Sequence, residues 1–195
     1  MNKRLLIEIL RQKLTQIENL TEVKLKDILE KLESQKAKLP LEDHSIIDWG
    51  ISVIRVRMQQ REQLMVIVQK KFDNIYNAIK QKWDDKPEQN EIYLSLANGL
   101  QEIIEYHAST DLEYAEGAGK YIVDLRNDLK SFCDEKKIRD KISIKQILEN
   151  TSSFLKRKVK KKKEQAKKDK DEKKRQMASK LAEYYEQANR DILSP

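Results

Sequence analysis

SIIDWGISVIRVRMQQREQLMVIVQKKFDNIYNAIKQKW, residues 45–83, carries one apolar stripe: Ile47, Ile51, Ile54, Met58, Arg61, Met65, Val68, Phe72, Ile75 and Ile79. The spacings alternate four and three without a slip, the period of a helical seam and not of a strand. Arg61 alone breaks the apolar character, and a charged seam residue is expected to set register or partner choice at some cost in stability. A helix of about 39 residues at 1.5 Å per residue makes a rod of roughly 58 Å. Asp43 or Ser45 is expected to open it, and Trp49 and Trp83 to anchor its packing against neighbours.

Upstream, residues 1–38 read as an N-terminal helical segment, one broken helix or two shorter ones. Leu10, Leu14, Ile17 and Leu20 give one stripe; Leu25, Ile28, Leu29 and Leu32 give another, with Thr21 placed to cap it. Leu39-Pro40 ends the segment, because a residue before proline is pushed out of the helical region. Downstream, Asp84-Asp85-Lys86-Pro87 is a turn, with Pro87 suited to a first helical position. A third helix follows, with Tyr93, Ala97, Leu100, Ile104, Ala108, Asp111, Ala115, Ala118, Ile122, Leu125, Leu129 and Phe132 along its seam and a bend near Gly117. Residues 134–142 are highly charged; the helix either continues through them or pauses before Ser143 and Gln146, which resemble a capping box.

Composition agrees with long helices. The 195 residues include only 4 Gly and 3 Pro, so few turns are available, and the charged share is 37% against 38% hydrophobic. Helices that each bury one narrow stripe suit that balance better than a thick core. The fold class read from the sequence is therefore all-α: an elongated antiparallel helical bundle or coiled coil of three to four long helices. Residues 45–195 form its main body.

The charge is local. Residues 156–175, KRKVKKKKEQAKKDKDEKKR, hold 13 Lys/Arg against 4 Asp/Glu, a net of +9 in a chain whose total is +7, so everything else sums to −2. The candidate anion-binding residues are Lys156, Arg157, Lys158, Lys160, Lys161, Lys162, Lys163, Lys167, Lys168, Lys170, Lys173, Lys174 and Arg175, expected on one basic helix. Lysine dominance suits diffuse attraction to phosphates better than bidentate recognition of a single carboxylate. An anionic lipid surface, a nucleic acid backbone and an import receptor reading LKRKVKKKK (155–163) all fit, beside a solvated helix of mixed charge. Nucleic acid is the weaker reading, since no aromatic residue interleaves the run and arginine is scarce.

Catalytic patterns do not occur. There is no Gly-rich phosphate loop and no GxSxG, HExxH or CxxC. The Glu-x-x-His pairs of a carboxylate-bridged di-iron bundle fail as well: Glu102 is followed three residues on by Glu105, and Glu105 by Ala108. The histidines are His44 and His107, and His107 is expected to line or cap a helix interface. One cysteine, Cys133, leaves no internal disulfide, fits a reducing compartment and belongs on an apolar face beside Phe132. No apolar run approaches the ~20 residues of a membrane span, and no signal-peptide core opens the chain. No enzyme activity, cofactor, metal or small-molecule substrate is expected, and the cytoplasm is the expected compartment, with peripheral membrane contact or nuclear entry according to the partner.

Several stretches together resemble the BAR superfamily, its F-BAR branch in particular. They are MQQREQLMVIVQKKFDNIYNAIKQKW (58–83), the helix bearing His107 and the alanine stripe, LRNDLKSFCDEKK (125–137), the lysine tract, and KLAEYYEQANRD (180–191). The resemblance spans about residues 45–192, and residues 1–38 have no counterpart in it. It implies an antiparallel homodimer whose lysines in the 156–175 run contact anionic lipid. The alternative reading is a coiled-coil scaffold or subunit of a larger assembly, with the basic run as a docking or import element.

Overall fold

A computed structural model describes residues 20–41, 44–85, 88–110, 112–135 and 143–194. Leu10, Leu14, Ile17, Asp43, Lys86, Pro87 and Asp111, singled out above, lie outside them. The protein is all-α. Among the described residues there are six α-helices: α1 (Glu22–Lys36), α2 (His44–Asp85), α3 (Gln89–Ala108), α4 (Ala118–Glu135), α5 (Ile144–Lys168) and α6 (Glu172–Leu193), with a 3-10 turn at Tyr114–Glu116. That is more helices than the three to four expected, although α2, at 42 residues, is as long as the rod its stripe implies. Two of the expected rods are interrupted, one at 109–117 and the other at 169–171.

Packing divides the chain inside α2, between Ile67 and Val68. In the first unit, Thr21 caps α1 as its spacing predicts, its Oγ1 accepting the Lys24 amide at 3.4 Å. Leu25 and Leu32 of α1 bury against Ile47, Ile51 and Ile54 of α2, with Ile28, Leu29, Leu39 and Met58 around them. The turn between the two helices is closed by His44, whose Nε2 donates to the Leu39 carbonyl at 3.0 Å. Arg55–Glu33 (2.9 Å) and Lys36–Asp48 (2.5 Å) flank the seam. Arg61 is 5% exposed and engaged in a polar interaction, so its seam position is buried as the spacing requires. Trp49, in contrast, is 48% exposed, so it is not the buried anchor expected.

In the second unit, residue pairs fix the helix directions. Ile79 lies against Gly99, Lys71 pairs with Glu102 and Phe72 touches His107, so α3 runs antiparallel to α2. Phe72–Tyr121 and Trp83–Phe132 ring contacts place α4 parallel to α2. The Ser143 amide donates to Gln89 Oε1 at 2.9 Å, so α5 begins level with α3. α6 returns alongside, with Tyr185 donating to Glu105 at 2.9 Å and Lys180 to the Thr110 carbonyl at 2.6 Å. The result is an up-and-down antiparallel bundle. Its buried seam includes Val68, Phe72, Ile75, Ile79, Ile104, Ile122, Leu125 and Leu129; Met65, beyond the unit boundary, and Phe132 are half-buried. Trp83 is 1% exposed and its Nε1 donates to Ser95 Oγ at 2.8 Å.

The third rod is cut where Ser109 and Thr110 turn their hydroxyls back onto the carbonyls of Tyr106 (2.6 Å) and His107 (2.7 Å). Those bonds satisfy the end of α3 and stop its propagation. Glu113 and Glu116 form a reciprocal capping box around the 3-10 turn, and Ala115, expected on the seam, is exposed there. His107 is fully buried beneath this connection. Its Nε2 donates to the Glu113 carbonyl at 2.8 Å, its ring lies 5.9 Å from Phe72 and 5.6 Å from Tyr184, and Nδ1 has no hydrogen-bond partner. It is an interface residue, as expected. Gly117 passes so close that a Cβ there would sit 2.6 Å from His107 Cε1.

Two measurements check this arrangement. Gly117→Ala must displace an imidazole held by its own hydrogen bond, and should destabilise the protein by about 1–3 kcal/mol in chemical denaturation. Burial pushes the His107 pKa below its ordinary 6.5, opposed by the Glu113 carbonyl bond and the nearby Glu116, and aided by Lys180. Above pH ~6.5 the ring is neutral in both folded and unfolded chains; below it the unfolded chain takes up the proton first. Stability should therefore fall as pH drops below about 6.5, and the slope should be shallower in His107→Gln. Equal slopes in the two proteins would contradict the buried neutral ring.

Candidate anion-binding site

The basic run is not one helix. Asp169-Lys170-Asp171 breaks it, and the run becomes the tip of a hairpin between α5 and α6. The break has a local cause: Asp171 Oδ1 accepts the amides of Lys173 (2.9 Å) and Lys174 (3.2 Å), an N-cap that starts a new helix. Ser143 caps α5 in the same way, accepting the Gln146 amide at 3.2 Å. α4 ends at Glu135 and α5 starts at Ile144, and residues 136–142 of the charged stretch lie outside the described residues.

Each arm of the hairpin has a packed half and a bare half. On α5, Ile147, Thr151, Ser152 and Leu155 are buried, and nothing beyond Leu155 is; on α6 the first buried residue is Ala178. The α6 base is tied down heavily. Tyr184 donates to the Leu112 carbonyl (2.9 Å) and Tyr114 to Asp191 (2.6 Å), while Arg126 donates to the carbonyls of Asp191 (2.8 Å) and Ser194 (2.9 Å). Burial and the Glu183 carboxylate raise the Tyr184 hydroxyl to about 12, so it stays a donor throughout the physiological range. Because α5 starts level with α3 and outruns it by five residues, its tip projects roughly 8 Å past the end of α3.

Helical periodicity sorts the cations. At 100° per residue, Lys163, Lys156, Lys167, Lys160, Arg157, Lys168 and Lys161 fall in one arc of about 160°, interrupted only by Glu164. All seven are exposed. Lys158 and Lys162 turn inward and are half-buried, Lys158 lying 5.2 Å over the Phe154 ring. Lys170 sits in the turn, and Lys173, Lys174 and Arg175 on the first turn of α6. Lys163 pairs with Glu186 and Arg175 with Glu172. Among the described residues no ion pair engages Lys156, Arg157, Lys160, Lys161, Lys167 or Lys168. The arc is thus a strip about 20 Å long of strong net positive charge, offset only by Glu164 and by the Glu186 that pairs with Lys163.

One cation that the charge run does not contain joins the site's base. Arg190 borders both a cleft of about 310 Å³, shared with Lys156, Val159, Glu186 and Asn189, and one of about 560 Å³ lined in part by Tyr114, Gly119 and Lys120. It lies fifteen residues beyond Arg175; only its position four after Glu186 on the α6 face hints at the proximity. Among the described residues there is no cluster of three or more His, Cys, Asp or Glu that could hold a metal, and no helix long and apolar enough to cross a membrane. Cys133 is buried, and burial raises its thiol pKa. No family model, curated protein or solved structure matches this chain.

The split between packed base and bare tip predicts unequal sensitivity. Leu155→Ala should cost about 2–5 kcal/mol in equilibrium unfolding. Lys161→Ala, six residues further along the same helix, should stay within about 0.5 kcal/mol of wild type.

Proposed function

We propose that this protein is a non-catalytic helical module that binds anionic membrane surfaces through the outer face of α5 and the hairpin turn. The observation that carries the reading is the arc of seven exposed basic residues, six of them without an ion pair among the described residues, raised beyond the end of α3. A bilayer leaflet presents a plane of phosphates without fixed register, which suits flexible ammonium groups spread along a strip. The resemblance to BAR-superfamily helices points the same way. Nucleic acid would engage only through its phosphates here, since aromatic stacking residues are missing from the strip and one arginine, Arg157, lies on it.

Each basic side chain near a charged leaflet adds about 1 kcal/mol, so five lysines contribute on the order of a thousandfold in affinity. Replacing Lys156, Lys160, Lys161, Lys167 and Lys168 by Gln keeps helix propensity nearly constant. That variant should retain wild-type helicity and melting temperature yet lose co-sedimentation with phosphatidylserine vesicles at least a hundredfold. Wild-type binding should weaken steeply with salt. Failure of the wild-type protein to bind these vesicles at low ionic strength defeats the proposal; salt-sensitive binding to duplex or single-stranded nucleic acid in its place transfers the site to that partner.

A further inference from the structure

Behind the hairpin tip, α5 and α6 leave a cleft of about 310 Å³ between them. Lys156 and Val159 line it from α5, and Glu186, Asn189 and Arg190 from one face of α6. Lys163 pairs with Glu186 across the two helices, so the carboxylate on the cleft wall is already neutralised. Lys156 and Arg190 are exposed, and among the described residues no ion pair engages either. The cleft therefore keeps two positive charges, one from each helix. The larger cleft on the other side of Arg190 does not: there Lys120 and Arg190 stand with Asp124 and Asp191, and the charges balance. A second observation belongs to the smaller cleft. Asn189 Oδ1 is buried and has no hydrogen-bond partner, an unmet acceptor that a donor group brought in by a ligand would satisfy.

We propose that this cleft is a discrete site for a phosphate monoester, its phosphoryl group held between Lys156 and Arg190 and a hydroxyl of the alcohol that carries it donating to Asn189. Charge selects the class. A monoester carries about −1.5 to −2 near neutral pH and matches two cations, whereas the diester of a phospholipid or a nucleic acid backbone carries one negative charge per phosphate. Geometry selects against a carboxylate. The Arg190 guanidinium takes two oxygens in its fork, and the Lys156 ammonium, a point charge on the opposite wall, needs a third. The lysine strip attracts phosphates diffusely and in any number; the cleft takes one group per chain. The same chemistry is offered by a soluble phosphorylated polyol and by the headgroup of a phosphorylated inositol lipid. Since a soluble ligand suffices, the site stands without the membrane reading.

The test titrates the full chain, without vesicles, with glycerol phosphate as the monoester and dimethyl phosphate as the diester, read by nuclear magnetic resonance. Glycerol phosphate should shift the Asn189 side-chain amide and the Arg190 backbone amide saturably, with one molecule bound per chain; dimethyl phosphate at the same concentrations should not. Arg190→Gln should weaken binding roughly tenfold or more. Asn189→Leu should weaken it as well without lowering the melting temperature, because it removes the unpartnered oxygen. Lys161→Gln, out on the strip, should bind glycerol phosphate as the wild type does. Vesicles of phosphatidylinositol phosphate and of phosphatidylserine, matched in surface charge, separate the sources. A preference for the first that Arg190→Gln abolishes assigns the monoester to a lipid; equal binding, or none, assigns it to a soluble compound. Equal responses to the two soluble esters overturn the inference, as do shifts that never saturate or an Arg190→Gln protein that binds like wild type. Vesicle binding that survives such a result leaves the membrane reading standing, and glycerol phosphate binding without vesicle binding leaves this site standing alone.

Discussion

The fully buried ring of His107 is the constraint on which residues 68–195 depend. It stands at the end of α3 and touches Phe72 from α2, Tyr184 from α6, the Glu113 carbonyl and the backbone at Gly117. Its single hydrogen bond holds the α3–α4 connection over the end of the bundle, and the tyrosines around it tie α6 to that connection. A buried imidazole without a second partner must stay neutral, so the geometry that lets Gly117 approach also fixes its protonation state.

From that anchored end the hairpin of α5 and α6 takes its character. Packing stops at Leu155 going out and resumes at Ala178 coming back, and the stretch between them carries a net charge of +9, more than the chain's total of +7. Lysines close together repel one another, which disfavours the compact state. The tip tolerates this because its side chains are hydrated and its stability is supplied from the base, where the α6 tyrosines, Arg126 and the apolar residues of both arms are held. Binding and folding are thereby assigned to different lengths of the same two helices, and charge at the tip can change without disturbing the core.

The first unit works on a different division. α2 is apolar on two opposite sides near its N-terminal end, and α1 is wide enough to cover one. Among the described residues α1 packs along one side of α2, and Trp49, Val56 and Ile67 on the other side are exposed. Arg61, by contrast, is buried and engaged in an interaction of its own.

By itself the sequence determined the helices of greatest regularity and the chemistry of the tip. The four–three alternation from Ile47 to Ile79 marks a seam that is largely buried, because periodicity alone decides which side of a helix is apolar. Thr21 and Ser143 cap where their side-chain chemistry places them, and the excess of lysine in 156–175 is written directly in the composition. Tertiary structure decided where helices end and which neighbour each stripe meets. The break at 109–117 depends on His107 finding a buried place among α2 and α6, a contact between residues far apart in the chain that no local pattern encodes. The break at Asp169–Asp171 competes with good helix formers on both sides, and the cap prevails because α6 gains its burial from Ala178 onward only by turning back. Trp49 was misplaced for the same reason: its apolar character is legible, but whether a neighbour covers it depends on how many helices surround α2.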